Sequence, residues 1–155
     1  MAIKNLTALG NYTGGISNAT ISGNVAYLAA CENGLTLLDV SKPENPTVLS
    51  SLKTVGFVSD VSVFGNFAFV VNQNEGFKIV NVANANAPKL LGSFESSGSI
   101  QQLTLANNIA FVSDWENGLL LVDTANTSAP KLIVIANIPR EKCGVIDRQQ
   151  TRFCH

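Results

Sequence analysis

Charge is scarce in this 155-residue chain: Asp, Glu, Lys and Arg make up 14% of it, where about 25% is usual for a soluble domain. The formal net charge is −1. Nucleic-acid binding needs a basic patch or stripe, and an acidic interaction tail needs a run of like charge. Neither is present, so no nucleic-acid partner is expected. Cysteine is sparse too. Cys31, Cys143 and Cys154 are odd in number and unevenly spaced, which implies no disulfide framework. They read as three free thiols, with a Cys143–Cys154 bridge as the alternative. His155 is the single histidine and there is no C-x-x-C pair, so the ligand set of a zinc site is missing. No metal is expected. No apolar run approaches the ~18 residues of a spanning helix. The opening segment MAIKNLTALG lacks the apolar core of a secretory signal. Membrane insertion is not expected. Localisation stays open between a cytoplasmic chain and a piece of a longer exported one.

P-loop, G-x-G-x-x-G and G-x-S-x-G signatures are also missing. No cofactor is expected, and a single terminal histidine builds no Ser-His-Asp constellation. Four N-x-[ST] matches, at Asn5, Asn11, Asn18 and Asn126, are what an Asn- and Thr-rich chain produces by chance. No stretch longer than a few residues carries a 3.6-residue period, which leaves almost no helix.

What the chain does have is a repeat. Asn24, Asn66 and Asn108 lie 42 residues apart. In the same phase stand Ala26, Ala68 and Ala110; Gly34, Gly76 and Gly118; Pro46, Pro88 and Pro130. Aromatic residues follow at Tyr27, Phe69 and Phe111, and Asx residues at Asp39, Asn81 and Asp123. The phase holds without a gap from residue 14 to 133.

Each unit reads as four short strands. In the second, VSDVSVFG alternates apolar and polar residues, and Gly65-Asn66 is a hairpin turn. FAFVVN returns, QNEG turns again with Gly76 free to take positive φ, and FKIVNV follows. Pro fixes φ and lacks a donor, so the Pro before each fourth strand places that strand at an outer edge. Asp39, Asn81 and Asp123 end the third strands, where a short Asx side chain accepts a bond from the backbone N–H two residues on. Thirteen strands are expected, near 6–12, 16–22, 25–30, 35–40, 47–54, 58–64, 67–72, 77–82, 89–95, 100–106, 109–114, 119–124 and 131–137. The expected core is Ile21, Tyr27, Leu37, Val63, Phe69, Ile79, Leu105, Phe111 and Leu121.

A repeat of about 40 residues holding four strands is a β-propeller blade. The fold class is therefore all-β, three blades of four antiparallel strands. One blade cannot cover its own apolar face, so the pattern recurs. The three stretches GNVAYLAACENGLTLLDVSKPENP, GNFAFVVNQNEGFKIVNVANANAP and NNIAFVSDWENGLLLVDTANTSAP resemble LVIVD repeats, the blade unit of bacterial and archaeal propeller proteins. The likeness covers residue 14 to about 137. It implies cell-surface or exported context and carries no catalytic residues.

First strands line the axis of a propeller. Asn18, Asp60 and Gln102 are in phase there. They read as the solvated lining of a channel, or as a shallow site for a small polar ligand or cation. Asp60 is their one charge, too few oxygens for calcium. Asp114 and Trp115 form the second-to-third-strand turn of blade 3. Trp115, the single Trp, is an anchor for a partner or packs on the next blade. No catalytic residue is assigned. The leading reading is a non-enzymatic binding or scaffold module offering loops to a protein or glycan. The alternatives are a hydrolase or lyase with a polar site at the channel mouth, and a fragment without independent function.

The ends differ from the middle. Residues 1–139 are expected to form the propeller segment, with LTALGNY at 6–12 resembling the outer strand KLLGSF. Residues 140–155 break the period, with Arg140 in place of Gly and Lys142 in place of a branched apolar residue. This stretch is expected to lie outside the blades. Three blades fall short of the roughly four that a closed ring needs. A homodimer closing a six-bladed ring is the expected assembly.

Overall fold

The structure, a computed structural model, describes residues 14–137. The expected strand at 6–12, the tail at 140–155, and Cys143, Cys154 and His155 lie outside the described residues. Twelve strands fill the described part: β1 Asn18–Ser22, β2 Val25–Ala29, β3 Leu35–Asp39, β4 Thr47–Leu52, β5 Val58–Phe64, β6 Phe67–Asn72, β7 Gly76–Asn81, β8 Lys89–Glu95, β9 Ile100–Ala106, β10 Ile109–Asp114, β11 Gly118–Asp123 and β12 Lys131–Ala136. They pair in chain order as three four-stranded sheets, β1 to β4, β5 to β8 and β9 to β12. Every pairing is antiparallel. No helix is present among the described residues.

The repeated residues repeat their geometry. Gly23, Gly65 and Asn107 occupy one hairpin position with φ of 61°, 58° and 54°. Asp39, Asn81 and Asp123 each accept from the N–H two residues on, from Ser41 at 2.8 Å, Ala83 at 2.9 Å and Ala125 at 2.8 Å. Hydrogen bonding from Ser41 holds the Asp39 carboxyl below the usual range. A bulge recurs in each blade where the third strand meets the fourth, at Leu37/Leu38, Ile79/Val80 and Leu121/Val122. Each outer strand starts directly after the in-phase proline.

Sheets stack face to face. Tyr27, Ala29, Leu35 and Leu37 of blade 1 pack against Val58, Val61, Ala68, Val70, Val80 and Val82 of blade 2. Phe69, Val71, Phe77 and Ile79 of blade 2 pack against Ile100, Leu103, Ala110, Val112, Leu120 and Val122 of blade 3. Each fully buried Leu, Ile, Val or Phe contributes roughly 1.5–3 kcal/mol, so these two joints hold most of the cohesion. The inner strands come together at the axis, β1 against β5 and β5 against β9.

Five of the nine expected core residues depart from that expectation. Ile21 is 67% exposed, and Val63, Leu105, Phe111 and Leu121 are half-buried, Val63 and Leu105 while packed against the first and second joints. Ile21 lies on the leading face of blade 1, and Phe111 and Leu121 on the trailing face of blade 3. No described sheet stacks on either. Ala26, Leu28 and Leu38 form a small cluster of their own on blade 1. Strand β12 is also unlike β4 and β8. It is apolar from Leu132 to Ile135 on both faces, and those four side chains are exposed.

Candidate functional site

Chain direction sorts the loops into two ends. The second-to-third-strand turns and the connectors between blades lie at one end, here called the connector end. The first-to-second-strand turns and the proline-bearing loops lie at the other.

Of the three in-phase axial residues, the structure brings two together. Asn18 is exposed and Asp60 is buried. Asn18 Nδ2 donates to Asp60 Oδ1. The same oxygen accepts from Val61 N–H at 2.9 Å, and Oδ2 accepts from Leu103 N–H at 3.3 Å. Asp60 thus gathers a donor from each of the three blades. Gln102 stays exposed. Beside it, Ser62 Oγ donates to Leu103 O at 2.9 Å, a second bond across the joint of blades 2 and 3.

Asp114 is buried and satisfied as well. Its Oδ2 accepts from Ser96 Oγ at 2.5 Å. Its Oδ1 accepts from Glu116 N–H at 2.9 Å, Asn117 N–H at 2.8 Å and Asn117 Nδ2 at 3.1 Å. Burial pushes this carboxyl up, but the bonds from Ser96, Asn117 and Glu116 outweigh it, and the group ends below its ordinary value. The fixed turn presents Trp115, 51% exposed. Trp115 N–H donates to Ser99 O at 2.9 Å, and Glu116 Oε2 accepts from Ser99 N–H. These bonds tie the turn to the connector before blade 3.

Asp60 serves the blade joints and Asp114 serves its turn. A shallow recess of about 290 Å³ on blade 2 is lined by Asn74, Glu75, Phe77, Lys78, Ser93 and Phe94, among others. Glu95 lines it too, and the other two charged groups pair with one another, Lys78 Nζ to Glu75 Oε2 at 3.0 Å. None of the five expected site residues lines it. No group of three or more metal-binding side chains occurs among the described residues.

Two residues that the sequence reading passed over share the connector end with Trp115. Val55 is 74% exposed and Phe57 is 44% exposed. A signal was available: in phase with Val55 stand Thr13 and Ser97, and with Phe57 stand Gly15 and Ser99. A large apolar residue where the other repeats carry Gly, Ser or Thr is out of pattern. Glu32, Glu75, Glu95 and Glu116 are exposed at this same end, with Lys53 as the exposed cation.

The LVIVD-repeat family model matches residues 12–54, 55–96 and 97–137. No curated protein matches the chain. Among solved structures it is similar to the computationally designed Ika4 protein, with a TM-score of 0.70 at 13% identity, covering 86% of this chain and 81% of that one. The computationally designed Ika8 protein matches with a TM-score of 0.66 at 14% identity, over 81% of this chain and 38% of that one. The N-terminal domain of Nup159 matches with a TM-score of 0.53 at 12% identity, over 83% of this chain and 32% of that one. The last two therefore extend well beyond the length that this chain spans. These likenesses concern the fold.

Proposed function

The chain belongs to the LVIVD-repeat family, and on that premise we propose that it is a non-enzymatic binding or scaffold module whose connector end receives a partner. The observation that carries this reading is the set Val55, Phe57 and Trp115, exposed together on one end. Aromatic side chains on backbone already fixed by hydrogen bonds lose little entropy on binding, and such residues dominate interface energies. Among the described residues, four exposed glutamates against Lys53 and the Lys78 that pairs with Glu75 leave this end with an acidic rim, which favours a basic, partly apolar protein surface over a glycan. The carboxylates that an enzyme would need are engaged in holding blades and turns.

Display selection of random peptides on the immobilised chain should return basic sequences with apolar anchors, and their binding should shift Trp115 emission. Truncating Phe57 and Trp115 to Ser should weaken the selected peptides at least tenfold, about 1.4 kcal/mol. Selection that returns only oligosaccharide ligands from a parallel glycan array would move the reading to a glycan partner. Turnover of ester, phosphoester or glycoside substrates that Asp60→Asn abolishes would overturn it.

A further inference from the structure

We infer that the two end faces of the three-blade stack are a matched pair, and that a second copy of this chain covers both, head to tail, to close a six-bladed ring. The inference is independent of the connector-end reading, because it rests on the blade joints.

The joints are two cases of one design. At the first, Val58 N–H donates to Cys31 O at 3.0 Å; at the second, Ile100 N–H donates to Gln73 O at 2.9 Å. Those donors and acceptors are in phase. So are the sealed side chains. Val58 and Ile100 have no exposed surface, and Val61 and Leu103 are buried. Their counterparts on blade 1, Ile16 and Ala19, are exposed, Ile16 at 43%. On the other side of each joint, Leu35, Leu37, Phe77 and Ile79 are sealed. Their counterparts on blade 3, Leu119 and Leu121, are left half-buried. On the leading face Ala26, Leu28 and Leu38 are buried in their own cluster; around them Ile16, Ala19 and Ile21 stay exposed, and Leu119 and Leu121 stay half-buried on the complementary side.

Polar groups repeat the pattern and argue for a blade as the occupant. Asp60 and Ser62 both bond across the second joint, to Leu103 N–H and Leu103 O. In phase with them on β9 stand Gln102 and Thr104, both exposed. The hydroxyl fits the backbone C=O of Ala19, the residue in phase with Leu103. The Ala19 N–H already donates to Asn18 Oδ1 at 2.7 Å, so the Gln102 amide fits Asn18 itself, as Asn18 meets Asp60 at the first joint. A second copy supplies Asn18 and Ala19 on an open leading face. Two copies meeting this way make two equivalent joints related by a two-fold axis. They bring the blade number to six, inside the common range of about four to eight. A closed arrangement leaves no free face to propagate a filament.

Size-exclusion chromatography with light scattering, at tens of micromolar, should give twice the 16.4 kDa chain mass. Ile21→Glu, on the most open part of the leading face, should return the single-chain mass with an unchanged far-UV spectrum. Cysteines placed at Asn18 and Gln102, in a chain whose own three cysteines are Ser, should join two copies through a short bismaleimide, with no larger product. A single-chain mass for the parent protein would overturn the inference and assign these faces to a different occupant. So would a dimer that Ile21→Glu leaves intact, or a ladder of cross-linked products.

Discussion

A buried carboxylate is tolerated only when its oxygens are satisfied, and Asp60 meets this with donors from all three blades. Asp60→Ala leaves those donors without their acceptor. It should cost about 2–3 kcal/mol in urea unfolding, while Asp60→Asn, which keeps one acceptor, should cost less. Equal losses in the two variants would mean that the charged carboxylate carries the effect and that the shape and single acceptor kept by Asn do not. The sequence placed Asp60 at the axis by phase but gave no hint of burial, because the donors come from residues 42 positions earlier and 43 later. Asp114 carries a pH signature. Its folded pKa is lowered, so its contribution is present above the unfolded value of about 3.9 and is lost as pH falls through the folded one. Asp114→Asn should therefore destabilise the protein at neutral pH, and the gap to the parent should narrow below about pH 4. A gap that stays constant into acid would remove charge from the account.

At the scale of the strand the sequence was nearly transparent. Five of the expected ranges, 58–64, 67–72, 89–95, 100–106 and 109–114, match the observed strands residue for residue. Alternation and turn residues fix strand ends locally, and a period without gaps lets each blade correct the others. The turns also set a hierarchy of glycines. At Gly65, with φ of 58°, an added Cβ would meet nothing within 4 Å. Gly65→Ala should cost about 1 kcal/mol for the left-handed backbone alone. Gly65→Asn should be close to neutral, since Asn107 already fills that place in blade 3. Gly76 has φ of 122°, and its Cβ would lie 1.9 Å from Phe94 O. Gly76→Ala must push β8 away from β7, at a cost of more than about 3 kcal/mol. Thermal melts should rank Gly65→Asn above Gly65→Ala, and Gly65→Ala above Gly76→Ala; a Gly76→Ala protein as stable as the parent would show that the turn can rearrange.

Over the whole molecule, cohesion lies between sheets, and there the sequence alone misled. Phe111 and Leu121 carry the same residue types as sealed positions in their sister blades, and Ile21 the same type as half-buried Val63 and Leu105. Their exposure depends on whether a neighbour exists, which no local pattern records. Blade 2 is covered on both faces, with Val70, Val71, Ile79 and Val80 all at zero exposure. Amide exchange in the Ile21→Glu variant should accordingly be slowest in β6 and β7 and fastest in β12. Equal protection in all three blades would mean that the joints add nothing to blade stability. Each sheet is wound from strands consecutive in the chain, and this bears on how the molecule is made. Every hairpin closes over a few residues, so loop closure costs little entropy at each step. A blade can complete itself while the next is still emerging from the ribosome. The slow search typical of β proteins, for strands distant in sequence, is deferred to the docking of finished blades.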